Sequence, residues 1–345
     1  MPIDLHITAK DGKTYGYHIP NTWFVKRTEA TVLPRWIGFG DLRRDYKVLV
    51  DIPSGIAEVV IDSTNRLADR YKLNDRMSLP LEVGFDHHIR NLPDRRIYEA
   101  AARPDLWWNG YDGVKAGFHL NGNYMRHKHR LHLSAWINTG LAQHLPGQGQ
   151  SPFGDTLSTS TANRFDRLSL NFRYSNGTEK LLLGSSVFVH ARALDGLNRF
   201  GGGFRWDLPN GRTDAQAEAL YFWRRDSTDL IYLLHPQQWE LNALNASVNL
   251  SLRHRYDRPG TQGNVLLEAR NSAPGSAMGY GWLRLTAINT NRKGRLELRT
   301  RFIAQHGSGS TPRESALYLA GASPEEMMEN KYVRSAGLVP YEWTG

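Results

Sequence analysis

Histidines and carboxylates that stand close together in the chain are the first candidates for chemistry. Asp86-His87-His88 sets three ligand-type side chains in a row, and His127 and His129 share one strand face. A zinc site needs three or four converging ligands. Neither group has a partner cluster elsewhere in the sequence, and His132 falls on the face opposite His127 and His129 by parity. Gly201-Gly-Gly203 is followed by Phe204-Arg-Trp206 and no helix, so it is not a phosphate cradle. Its glycines fit a strand that must let bulky neighbours or backbone approach closely. No G-x-S-x-G, Walker loop or H-E-x-x-H occurs. With no cysteine, thiolate metal sites, disulfides and cysteine nucleophiles are excluded. Asn176-Gly-Thr178 and Asn245-Ala-Ser247 match a glycosylation pattern short enough to arise by chance. A free-standing hydrolase built on Asp86, His87 and His88 would lack the geometry catalysis demands. No catalytic, cofactor-binding or metal-ligating residue is therefore assigned.

The elements that surround these residues are strands. The chain has 345 residues, 32 of them glycine, with 15 Tyr, 12 Phe and 10 Trp scattered among short alternating segments. That texture excludes a helical bundle. The longest apolar run, Leu230-Ile-Tyr-Leu-Leu234, is far short of the roughly 18 residues of a spanning helix. The net charge of +9 lies mainly in residues 105–345, where 27 Lys and Arg face 20 Asp and Glu. Arginines there alternate with apolar residues and form no cluster, so nucleic acid is not the expected partner. The chain opens on a strand pattern with no basic and apolar leader, as a cytoplasmic protein or a processed or internal piece would.

Residues 1–70 read as a small antiparallel β-sandwich. Ile3, Leu5, Ile7 and Ala9 alternate with polar residues, Asp11-Gly12 supplies a type I′ turn, and Tyr15, Tyr17 and Ile19 line the return strand. A second hairpin is expected from Tyr46–Ile52 to Ala57–Ile61 across Pro53-Ser-Gly55. Residues 71–104 read as a linker with a helical possibility around Asp94–Ala102.

From residue 105 onward about ten strands follow, many eight to eleven residues long, near 113–122, 131–137, 168–174, 181–191, 197–206, 215–224, 246–252, 264–270, 280–289 and 295–304. Soluble strands average about five or six residues, whereas membrane-spanning strands need about nine to eleven. Trp107, Trp108, Trp136, Trp206, Tyr221, Trp223, Trp239, Tyr280 and Trp282 sit mostly near strand ends, where two interfacial girdles would put them. Tight turns at Ser175-Asn-Gly177 and Asn291-Arg-Lys-Gly294 alternate with long loops at 143–163 and 226–238. This favours an antiparallel transmembrane-type β-barrel over residues 105–345, ahead of a soluble β-sandwich. Because the last strand ends near Ala304 and a polar segment follows, the barrel is expected to be incomplete. The segments 113–122 and 295–304 should then not be fully paired to each other.

Several segments resemble a known family. Met1-Pro-Ile-Asp-Leu-His-Ile-Thr-Ala-Lys-Asp-Gly12, Tyr17-His-Ile-Pro20 and Ile61-Asp-Ser-Thr-Asn-Arg-Leu-Ala-Asp69 look like the β domain behind the catalytic region of bacterial gluzincin (zinc H-E-x-x-H) aminopeptidases. Trp107-Trp-Asn-Gly-Tyr-Asp-Gly113, Gly117-Phe-His-Leu-Asn-Gly122 and Leu317-Tyr-Leu-Ala-Gly-Ala-Ser-Pro-Glu-Glu326 look like the surface-antigen-type outer-membrane barrel attached to some of them. Ser63 stands where the family pattern suggests proline, and Asp75 where it suggests asparagine. Glu326-Met-Met-Glu-Asn330 echoes a substrate loop of the family but lies in the barrel region. The zinc signature itself is missing, so no catalytic or zinc residue carries over and zinc is expected only in a parent protein. The resemblance implies a non-catalytic C-terminal portion of an outer-membrane-anchored zinc metallopeptidase. Its partners would be outer-membrane lipid and the parent's catalytic domain, with the N-terminal domain in the periplasm. The alternative is a soluble or cell-surface β module that binds glycan or protein through its aromatics.

Overall fold

A computed structural model describes residues 2–21, 23–37, 45–69, 71–86, 92–109, 112–142, 166–194, 196–225 and 240–317. The chain is all-β and divides into two compact units, Met1–Ala101 with Asn123–Arg126, and Ala102–Gly122 with His127–Gly345.

The first unit carries a four-stranded sheet of β1 (Ile3–Ala9), β2 (Thr14–Ile19), β3 (Thr31–Val32) and β4 (Ile56–Ile61), in the order β3-β2-β1-β4. β1 is antiparallel to β2 and β4, while β3 joins β2 in parallel. The expected first hairpin forms with Ile3 opposite Ile19 and Leu5 opposite Tyr17. Its turn is not type I′, which requires two residues at positive φ; only Gly12 takes one, at 82°. The expected second hairpin does not form. β4 pairs with β1 instead, and residues 45–52 carry no ladder. Ile52 is nevertheless buried beside Ile7, Ala9, Tyr17 and Ile19, and Tyr46, Val48 and Val50 pack against that cluster. The alternation there selects buried side chains, not a hydrogen-bonded strand.

Asp62 closes β4 in a left-handed conformation (φ 51°), and its carboxylate accepts hydrogen bonds from the backbone N–H groups of Arg66 (2.8 Å) and Leu67 (2.7 Å). The buried Lys72 ammonium lies 3.0 Å from Asp62 and 3.1 Å from Asp75. Those backbone and Lys72 contacts outweigh burial and hold the Asp62 carboxyl below its ordinary range, while the two carboxylates raise Lys72. Burial raises Asp75.

Residues 71–104 hold more structure than a linker: β5 (Leu81–Phe85) and the start of β6 (Tyr98–Asn109). No helix forms at 94–102. The Asp94 carboxylate instead captures the Arg96 backbone N–H at 2.8 Å and its guanidinium at 2.6 Å, and extended chain follows from Tyr98.

The large sheet continues through β7 (Gly113–Tyr124), β8 (Lys128–Asn138), β9 (Leu168–Gly177), β10 (Ser185–Leu194), β11 (Leu197–Asp207), β12 (Thr213–Arg224), β13 (Asn245–Arg258), β14 (Thr261–Ser272), β15 (Tyr280–Lys293) and β16 (Leu296–Gly309). All ten expected strands are present, ten to fourteen residues long. Sheet order follows sequence order from β5 to β16. Among the described residues no ladder returns from β16 to β7, in line with the expectation for 113–122 and 295–304. Connections after β7, β9, β11, β13 and β15 take two to seven residues, whereas at the opposite end two long ones span 139–167 and 225–244. The short turns differ in detail from expectation, since residues 175–177 still belong to β9 and the turn follows at 178–184.

Candidate functional site

Register decides what each face of the large sheet offers, because directly paired residues share a face. Val189 pairs with Gly202, Gly202 with Ala219, Ala219 with Val248 and Val248 with Asn271. One step along, Phe204, Ala217, Leu250, Ala269 and Leu283 form the next row. This face is apolar and open: Phe200 is 52% exposed, Leu250 54% and Leu283 51%. Every Asp, Glu, Lys and Arg of β10, β11, β12 and β14 projects to the other face. There the polar side chains are covered, with His190, Arg192, Arg199, Asp214, Glu218 and Arg224 all buried. The usual arrangement of a water-soluble sheet is inverted.

The aromatics split along the same line. Trp206, Tyr221 and Trp223 lie on the apolar face, Trp206 at the short-turn end and the other two toward the long-loop end. Trp136 and Trp282 face the other way and are buried, against the girdle expected for them. Trp136 packs with Leu194, Leu197, Leu220 and Phe222 in a small apolar cluster, its indole N–H donating to Asp105 at 3.1 Å. The guanidinium groups of Arg270 (5.3 Å) and Arg284 (4.9 Å) both lie over the Trp282 ring. Trp239 lies outside the described residues.

On the polar face a cavity of about 460 Å³ opens between strands as far apart in order as β9, which contributes Arg173, and β16, which contributes Arg301. In a flat sheet those strands would stand about 34 Å apart at the usual 4.8 Å spacing. One cavity of this size can touch both only because the sheet curls, polar face inward. Six arginines and two glutamates line it. The arginines that alternate harmlessly along the sequence thus converge, which corrects the expectation that they form no cluster.

The two glutamates are committed locally. Glu268 accepts from Arg284 Nε and Nη2, both at 2.9 Å. Glu218 stands 2.5 Å from His190 Nε2 and 4.0 Å from Arg199. Gly201 makes room for that imidazole, since a Cβ there would lie 2.7 Å from His190 Nε2. After β16 the chain turns across the polar face: Glu314 takes the buried Arg224 Nε at 2.9 Å, Ser315 Oγ accepts from Arg270 at 2.8 Å, and Leu317 reaches the cavity wall. A second buried polar set joins Lys115 to Asp112 and to Ser169 Oγ (2.9 Å), with Asn138 on the same hydroxyl at 2.8 Å.

Among the described residues the sequence candidates do not converge. His129 Nδ1 lies 2.7 Å from the Tyr174 hydroxyl, His132 Nδ1 lies 2.6 Å from Asn121 Oδ1, and His127 stands in the turn before β8. Asp86 follows β5, while His87 and His88 are outside the described residues, as are residues 318–326 and 326–330 of the resemblance. Among the described residues no group of three or more His, Cys, Asp or Glu side chains is placed to hold a metal ion. No chemical step is derived through the zinc that the resemblance gives to a parent protein. The parity of Arg173, Arg199, Arg253 and Arg284 in their strands was the available signal for the face they share, not for their convergence.

Comparison with protein-family models, with curated proteins and with solved structures gives no match for this chain.

Proposed function

We propose that the second unit is the wall of an outer-membrane β-barrel and that the chain serves as the membrane anchor and periplasmic support of a zinc metallopeptidase. The observation that carries the membrane part is the inverted face: an uncharged apolar row exposed across β10–β15, with the ionised side chains behind it. Trp206 and Trp223 bracket that row. Trp223 lies opposite Asn198, eight residues from Trp206 along β11, or about 27 Å of strand. At a tilt of about 40° this covers roughly 20 Å of bilayer, near the ~25 Å apolar band of such barrels. Short connections at one end and long ones at the other fit the periplasmic and outer sides respectively. The metallopeptidase part rests on the resemblance of residues 1–76, and in it the chain supplies no catalytic residue.

The test is folding of the full chain from urea into phosphatidylcholine vesicles. The reading expects co-flotation with lipid and a gel band whose migration changes on boiling. A chain that stays monomeric, folded and lipid-free in plain buffer would overturn it.

A further inference from the structure

The cavity on the polar face has more positive charge than its own carboxylates answer. Glu268 is held by Arg284, and Glu218 by His190 and Arg199. Arg173 lies over the Phe188 ring at 5.3 Å, a contact that leaves its charge in place. Arg253 and Arg301 have no carboxylate partner among the described residues, yet both line the same cavity. His190 also borders that space: it is 97% buried by side chain, its Nε2 is fixed on Glu218, and its Nδ1 has no hydrogen-bond partner among the described residues.

Unanswered guanidinium groups repel one another, and the repulsion strengthens in a partly covered, low-dielectric site. A multiply charged anion removes it. Guanidinium forks match the oxygens of phosphate bidentately, and buried bonds of that kind are among the stronger ones. The cavity volume also suits a small molecule better than a polymer.

We propose that this cavity is a binding site for a small soluble polyphosphate-type anion. Arg173, Arg253 and Arg301 would supply the charge. The site stands on the polar face alone and does not depend on the membrane reading.

The test titrates inorganic tripolyphosphate into the full chain folded in an uncharged, phosphate-free detergent, read by calorimetry. One saturable site is expected, weakening at least tenfold in the Arg253→Gln/Arg301→Gln variant and unchanged in Arg295→Gln, whose side chain is exposed in the turn between β15 and β16. Affinity should fall steeply with added salt. A separate readout needs no ligand: Arg253→Gln should raise the urea midpoint of the ligand-free chain, because repulsion is relieved. Absence of saturable binding, or equal affinity in the double variant, would overturn the proposal. Binding to anionic vesicles without binding to free tripolyphosphate would overturn its soluble source.

Discussion

Replacing Leu250 by arginine separates the two environments the apolar face could meet. Leu250 lies within β13 and is 54% exposed, with Ala217 opposite on β12 and Ala269 opposite on β14. Neither neighbour offers a charge or a hydrogen bond. The Trp206 edge of the apolar band is two residues from the row of Leu250, about 7 Å along the strand, so the residue lies inside the band and off its centre. If this face met water, the substitution would belong with ordinary surface changes, within about 0.5 kcal/mol. In a bilayer an arginine costs about 2–4 kcal/mol at the midplane of a barrel strand and about 0–1 near the interfaces, so at Leu250, half-way between the band's centre and its Trp206 edge, the cost is about 1–2 kcal/mol. That corresponds to a roughly 5- to 30-fold loss in the folding constant. With a slope of about 2 kcal/mol/M, the urea midpoint should fall by about 0.5–1 M. The measurement is urea unfolding of the full chain in phosphatidylcholine vesicles, followed by tryptophan fluorescence and by the boiled and unboiled gel bands. Leu250→Ile should change little. A Leu250→Arg midpoint within error of the parent would refute the assignment of this face to lipid.

Three further outcomes follow from buried contacts. Glu314→Gln should cost about 3 kcal/mol, because the Arg224 guanidinium keeps its charge and loses its carboxylate at 2.9 Å; pairing Arg224→Met with Glu314→Leu should restore most of that in the same urea assay. Gly203→Ala should destabilise by about 1–3 kcal/mol, since its Cβ would collide with the backbone oxygen of Ala217, whereas Gly279→Ala, with nothing within 4 Å, should be near neutral. In the first unit Asp62 is depressed, so its contribution is present above about pH 4 and is lost as pH falls through the folded value. Asp75, raised, works in the opposite sense, and the raised Lys72 contributes below about pH 10.4 and loses that as pH rises through its folded value. Asp62→Asn should therefore lower the stability at pH 7 and flatten its decline below pH 4, measured by pH-dependent unfolding of the full chain.

The strands after residue 110 were legible because period-two alternation is enforced wherever one face is apolar over ten or more residues. Leu131, Leu133 and Ala135 against His132, Ser134 and Trp136 separate the two faces by residue type alone. The same parity placed Trp136 with polar residues, so its burial was readable, but position near a strand end pulled it toward the girdle. β6 was missed because Arg103-Pro104-Asp105 interrupts its alternation and proline reads as a break. The absent hairpin at 46–52 marks a different limit: alternation reports which side chains are covered, not whether the backbone finds a ladder. The cavity was least legible of all. Arg173 and Arg301 are 128 positions apart, and only register plus curling brings them to one space. No local signal carries that information.

The most direct measurement of the central claim uses two adjacent leucines of β14. Leu267 is exposed on the apolar face, opposite Leu252 and Leu285, while Leu266 lines the polar cavity. The chain has no cysteine, so Leu266→Cys and Leu267→Cys can each carry a single nitroxide label in vesicles. The label at 267 should collide with oxygen dissolved in the bilayer and be shielded from a water-soluble nickel complex, and the label at 266 should show far less contact with oxygen. Equal accessibility to both reagents at the two positions, or the reverse pattern, would contradict the placement of the apolar face in lipid.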